Sequence, residues 1–92
     1  MGDTIIRKMT IVNERGLHAR ASGALSQLCE TFEAEAIVRF NGEEADGTSI
    51  MDLLTLAAAR GSVIEVEAHG PDAEKMVDAM DALIADRFGE GR

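Results

Sequence analysis

The sequence contains one proline, one cysteine, and neither tryptophan nor tyrosine, and three phenylalanines make up its aromatic content. A lone cysteine, Cys29, excludes a disulfide framework within the chain and fits a reducing cytosol. The lone proline, Pro71, follows Gly70 and marks a turn, so no proline-rich linker divides the sequence. No repeat or low-complexity tract is present. Long apolar runs are missing too, and nothing approaches the length of a membrane span. Met1-Gly2-Asp3-Thr4 offers no basic region ahead of an apolar run, which leaves no readable signal peptide. Ile6 stands where a myristoylation signal wants serine or threonine. The expected location is therefore cytoplasmic. Positive charge is also scarce: 9 Lys and Arg against 17 Asp and Glu give a net charge of -8. Such a chain is repelled by nucleic acid and by anionic membrane surfaces, and neither is expected as a partner.

What is present makes one small domain, 1–92, with residues 89–92 expected to fray. The apolar share, 46%, is that of a globular chain, and a core of this size supports a stability of only several kcal/mol. Charge is unevenly spread. Residues 1–20 hold Arg7, Lys8, Arg15 and Arg20 against Asp3 and Glu14, a local sum of +2, so the remainder carries -10. A cationic island on an acidic chain is where an anionic ligand would dock. Arg7 and Lys8 are expected simply to face solvent on a strand.

Periodicity gives the elements. Ile5–Val12 alternates as a strand, with Ile5, Arg7, Met9 and Ile11 on one face, and 13–16 is a turn. Ala21, Ala24, Leu25, Leu28, Cys29 and Phe32 form the apolar stripe of a helix. Ala36–Phe40 alternates again, Asn41-Gly42 signals a hairpin, and a short strand follows at Glu43–Ala45. Ser49-Ile50-Met51-Asp52 matches a capping box with Asp in the acidic position. Ile50, Leu53, Leu54 and Ala57 continue that helix, which Gly61 is expected to close. Ile64–His69 is a fourth strand. Asp72 is the expected N-cap of a last helix with Met76, Val77, Met80, Leu83 and Ile84 inside. The order β-α-β-β-α-β-α, with one polar face on every strand, predicts an α+β fold: one antiparallel sheet covered by helices on one side.

One spot concentrates chemistry. Gly16-Leu17-His18-Ala19-Arg20 lies where the first strand passes to the first helix. A helix N-terminus presents unpaired N–H groups and the positive end of the dipole, and it binds phosphate readily. Arg20 adds a fork of donors suited to phosphate oxygens. Both features favour a neutral imidazole at His18, whose free lone pair can attack phosphorus. Gly16 would let the turn expose the ring. The competing reading is a helix-capping histidine without chemistry, and from these residues alone the two stand about even.

Gly16-Leu17-His18-Ala19-Arg20 and Gly47-Thr48-Ser49-Ile50-Met51 together resemble the two signature regions of HPr, the phosphocarrier family of the bacterial phosphoenolpyruvate-dependent phosphotransferase system. The resemblance extends over essentially the whole chain. It implies an open-faced sandwich with sheet order 1-4-2-3 and three helices on one face, in a stoichiometric carrier rather than an enzyme. It implies that His18 is phosphorylated at Nδ1 by enzyme I and hands the group to enzyme IIA-type acceptors. Arg20 and the backbone N–H groups of Ala19 and Arg20 would hold the phosphoryl group. Ser49 matches a serine phosphorylated by an HPr kinase/phosphorylase in many bacteria, and Ile50, Met51 and Leu54 match an exposed docking patch. A monomer, without cofactor or metal, is expected.

Two departures from the family pattern stand out. Ala21-Ser22 follows the arginine where proline is common, and the run His18-Ala19-Arg20-Ala21-Ser22 looks closer to the regulatory, nitrogen-related branch than to a sugar-uptake carrier. Asp52 stands where glycine is usual, one turn from Ser49. The rival assignment, from the same element order, is a ferredoxin-like or ACT-type module that binds a small molecule; its sheet would run 4-1-3-2. Among other candidates, His69 is expected to be solvated and inert, Cys29, Met76 and Met80 to be core, and Glu43-Glu44-Ala45-Asp46 to be a solvated hairpin rather than a metal site.

Overall fold

The computed structural model describes residues 3–91; Met1, Gly2 and Arg92, which belong to the expected 1–92 domain, lie outside the described residues. The elements are β1 (Asp3–Thr10), α1 (Ala19–Glu30), β2 (Glu35–Phe40), β3 (Glu43–Asp46), α2 (Ile50–Thr55), β4 (Val63–Gly70) and α3 (Ala73–Ala85), followed by a 3-10 turn at Arg87–Gly89. The strands form one sheet in the order β1-β4-β2-β3, with every neighbouring pair antiparallel. This is the arrangement the family resemblance implied, and it excludes the 4-1-3-2 sheet of the rival assignment.

Alternation along the strands decides which face is buried. Met9, Ala36, Val38, Ala45, Ile64, Val66 and Ala68 point into the core. The helices close over them with Ala21, Leu25, Cys29, Leu53, Met76, Val77, Met80 and Ile84. Each large apolar side chain so buried contributes about 1.5–3 kcal/mol relative to exposure. The opposite face of the sheet is open: Ile6 and Val63 stand 58% and 51% exposed there. Burial, reinforced by Asp46 and Glu30, pushes the Cys29 thiol up to about 11, so this cysteine is core and unreactive.

The structure corrects the sequence reading at several places. Arg7 does not simply face solvent: it shares the inner face of β1 and donates to Asp78 on α3 at 2.8 Å, with Asp81 at 3.5 Å. Helix α2 ends at Thr55, short of Ala57 and Gly61, because Leu56 and Ala57 turn their N–H groups onto Leu53 and Leu54 and Ala57 adopts φ +53. Gly61 instead opens the return into β4, donating to Ile11 at 2.7 Å. Asp72 does precede α3, but its carboxylate accepts from the Glu33 N–H at 2.9 Å rather than from its own helix. The Asp72 N–H donates back to the Glu33 carbonyl, so this residue ties the α1–β2 connection to the start of α3.

Candidate functional site

The loop between β1 and α1 is held in place before any functional group is considered. Gly16 adopts φ +66, and a Cβ there would lie 2.6 Å from the Ala58 carbonyl oxygen. That carbonyl accepts the Leu17 N–H at 2.9 Å, so the segment after α2 clamps the segment before α1. Leu17 is buried beside it. Ser22, fully buried on the first turn of α1, donates its hydroxyl to the Leu17 carbonyl.

His18 is the N-cap of α1 with extended backbone, yet its ring makes no capping bond. The first helical hydrogen bond runs from the Ser22 N–H to the His18 carbonyl. The N–H groups of Ala19, Arg20 and Ala21 therefore have no acceptor within the helix. Arg20 extends into solvent and enters no ion pair among the described residues. Together with Glu14, Arg15, Gly89, Glu90 and Gly91 it lines a shallow cleft of about 430 Å³.

The His18 ring lies against a carboxylate. Residues 89–91, expected from the sequence to fray, carry Glu90 onto the site. Its Oε2 sits 2.5 Å from His18 Nε2, and both side chains are only 16% exposed. Its Oε1 accepts from Asn13 Nδ2 at 3.1 Å, and the same Asn13 amide donates to the Gly16 carbonyl at 2.8 Å. The bond from His18 holds the Glu90 carboxyl below the usual carboxylate range against the opposing pull of burial, and Asn13 and the nearby Arg15 act in the same sense. The surroundings of the ring are therefore not purely cationic, as the sequence suggested.

His69 differs in kind. Its Nδ1 is 3.0 Å from Thr4 Oγ1 and its Nε2 is 2.6 Å from Glu67 Oε2. Both ring nitrogens are occupied, in a network on the open sheet face where Arg39 bridges Glu44 and Glu67. His18 Nδ1, by contrast, has no partner among the described residues.

The second signature region lies at the start of α2. Ser49 is its N-cap, and its hydroxyl accepts the Asp52 N–H at 3.1 Å. The expected capping box is half made. Asp52 does not return to the Ser49 N–H, which already donates to the Asp46 carbonyl; its carboxylate takes the Asp46 N–H instead. Ile50, Met51 and Leu54 are exposed, Met51 most of all at 70%. A Cβ built on Gly23 would lie 4.0 Å from Ile50 Cδ1, so α2 packs across α1 just beyond the turn that follows His18. No group of His, Cys, Asp and Glu among the described residues is arranged to hold a metal ion, and no helix is long and apolar enough to cross a membrane.

A family model described as the PTS HPr component phosphorylation site matches residues 5–86. The chain belongs to the HPr family of phosphocarriers. Relatives include the phosphocarrier protein HPr of Cupriavidus necator, 48% identical over 92% of this chain and 96% of that one. The phosphocarrier protein NPr of Escherichia coli K12 is 40% identical over 95% of this chain and 98% of its own. A crystal structure of HPr from Thermoanaerobacter tengcongensis superposes with a TM-score of 0.91 at 30% identity, covering 96% of this chain and 99% of that one. As an HPr-family member the protein is a phosphocarrier of the phosphotransferase system and not an enzyme.

Three side chains around the HPr motif escaped the sequence reading. Asn13 looked like a turn residue; it is completely buried, and its amide donates to the Gly16 carbonyl and to Glu90. Ser22 looked like a substitution within a helix. Glu90 sits 72 residues from His18, and the one local hint was Phe88, an aromatic side chain beyond the last helix followed by Gly89.

Proposed function

We propose that His18 is the phosphoryl acceptor of this carrier, receiving the group from phosphorylated enzyme I at Nδ1 and passing it to an enzyme IIA-type protein in the cytoplasm. The observation that carries this reading is the N-cap position of His18 with Nδ1 unengaged, beside N–H groups of α1 that have no helical acceptor. Those N–H groups, at Ala19 and Arg20, and the guanidinium of Arg20 would hold the transferred group. The test is incubation with enzyme I and phosphoenolpyruvate: one acid-labile, base-stable phosphoryl group per chain is expected, and mapping it to any residue other than His18 refutes the reading.

Ile50, Met51 and Leu54 form the docking patch in this proposal, because apolar side chains exposed beside the acceptor are ready to be desolvated by a partner. Met51→Glu and Leu54→Glu should each raise the carrier concentration that half-saturates enzyme I about tenfold. Leu53, not these two, fills the core under α2, so thermal stability should hold. Normal saturation by both folded variants would move the patch elsewhere.

Ser49 is the regulatory position, served by an HPr kinase/phosphorylase, and regulatory output suits the branch suggested by Ala21-Ser22. A phosphoryl group there adds roughly -1.5 to -2 of charge at a helix start, where free N–H groups and the dipole welcome it. The same charge falls within the apolar patch, next to Asp52 and Asp46, where desolvating it on docking is costly. Ser49→Asp should therefore keep the melting temperature and slow labelling of His18 severalfold. An unchanged rate in a folded Ser49→Asp protein would leave Ser49 as a helix cap alone.

A further inference from the structure

Glu90 touches the acceptor ring from the far end of the chain, and two features hold it there. After α3 the backbone reverses through three consecutive left-handed residues, Arg87 at φ +57, Phe88 at φ +55 and Gly89 at φ +79. Non-glycine residues hold such angles only where their surroundings demand it, and here Phe88 is buried in the core at 9% exposure. The reversal aims Glu90 at the β1–α1 loop. Asn13, fully buried, then fixes the carboxylate, because one amide nitrogen serves both Glu90 Oε1 and the Gly16 carbonyl. The loop that carries His18 and the segment that carries Glu90 are thus joined through one side chain.

We propose that Glu90 is a positioning residue for phosphoryl transfer, holding His18 in the Nε2–H tautomer so that Nδ1 presents its lone pair to the incoming phosphorus. An ionised carboxylate can only accept hydrogen bonds, so the nitrogen 2.5 Å from Glu90 Oε2 is the one that carries the proton. A neutral imidazole has a single N–H, which leaves Nδ1 unprotonated. The deduction rests on the reading of His18 as acceptor. In the transfer step the Nδ1 lone pair attacks phosphorus of phosphorylated enzyme I. The new N–P bond forms as the bond to the donor's leaving group breaks, and the leaving group keeps that electron pair. No proton moves. The His18 ring becomes cationic with its Nε2 proton in place, and the Glu90 carboxylate faces that charge. Arg15 and Arg20 line the same cleft as Glu90, and their guanidinium groups would donate to the phosphoryl oxygens. Carboxylate and guanidinium groups thereby stabilise opposite ends of the phosphohistidine.

The experiment compares wild type, Glu90→Ala, Glu90→Gln and a chain lacking residues 90–92, each checked by melting temperature. Histidine side-chain 15N spectra, recorded where the ring is neutral, report the tautomer of His18 directly. Wild type is expected in the Nε2–H form. Glu90→Ala and the shortened chain should show a mixture of tautomers and label with enzyme I and phosphoenolpyruvate about tenfold more slowly, a loss in the range of one charge-assisted bond. Glu90→Gln still offers an oxygen to Nε2–H, so it should retain the tautomer while its phosphohistidine decays faster than wild type. A Nε2–H tautomer that persists in Glu90→Ala, or labelling as fast as wild type, overturns the proposal. Labelling that maps to a residue other than His18 in wild type refutes instead the acceptor reading beneath it, so the two failures are distinguishable.

Discussion

His18→Ala should abolish phosphoryl labelling by enzyme I, while His69→Ala should leave it intact. Removing a covalent nucleophile eliminates the intermediate outright, so the expected loss is complete within detection. The contrast with His69 follows from the bonding of the two rings. His69 has both nitrogens engaged, by Thr4 and by Glu67, on the open sheet face, within β4 rather than at a helix N-cap. His18 has one nitrogen engaged, by Glu90, and caps a helix of 12 residues. Helix α1 itself should survive the change, because the His18 ring makes no capping bond. The check is labelling and thermal melting of both variants side by side. Residual labelling of the His18→Ala protein at the wild-type level would place the acceptor elsewhere.

Gly16→Ala should be the most destabilising single-methyl change near the site. The left-handed backbone at Gly16 costs a non-glycine residue about 1–2 kcal/mol, and the new Cβ would lie 2.6 Å from Ala58 O and 2.9 Å from Ala59 Cα. Those are backbone atoms, which cannot rotate away, and the Ala58 carbonyl is also the acceptor of the Leu17 N–H. The combined loss is expected at about 3 kcal/mol, a fall in melting temperature of roughly 15 °C for a domain this small. Because the displaced atoms lead straight into His18, labelling should slow as well. Gly42→Ala is the control. Gly42 is left-handed too, at φ +81, but a Cβ there meets nothing within 4 Å, so only the conformational cost of about 1 kcal/mol remains. If Gly16→Ala melts no lower than Gly42→Ala, the clamp between the two loops has no energetic weight.

Both variants probe what one-dimensional pattern could and could not reveal. The alternation of Met9, Val38, Ile64 and Val66 with polar neighbours dictated strands with one buried face, because side chains on a strand point to opposite sides by geometry. The spacing of Leu25 and Cys29, or of Met76 and Met80, dictated helices for the same kind of reason. Gly16-Leu17-His18-Ala19-Arg20 and the Ser49 cap were legible because helix starts use local chemistry: a turn, an N-cap and donors within three residues.

What local pattern could not supply is which distant atoms meet. Apolar spacing ran on through Ala57, but α2 stops at Thr55 so that the Ala58 carbonyl can reach Leu17. Arg7 read as a solvent-facing strand residue until α3 brought Asp78 over it. Asp52 read as the second half of a capping box, but the Asp46 carbonyl had already taken the Ser49 N–H. The sequence by itself determined the element order, the buried faces and the histidine at a helix start, since each depends on residues within a few positions of one another. The sheet order, the clamp on Gly16 and the carboxylate of Glu90 on the His18 ring were decided by tertiary structure alone, because only chain reversal brings residues 16 and 58, or 18 and 90, within a few ångströms.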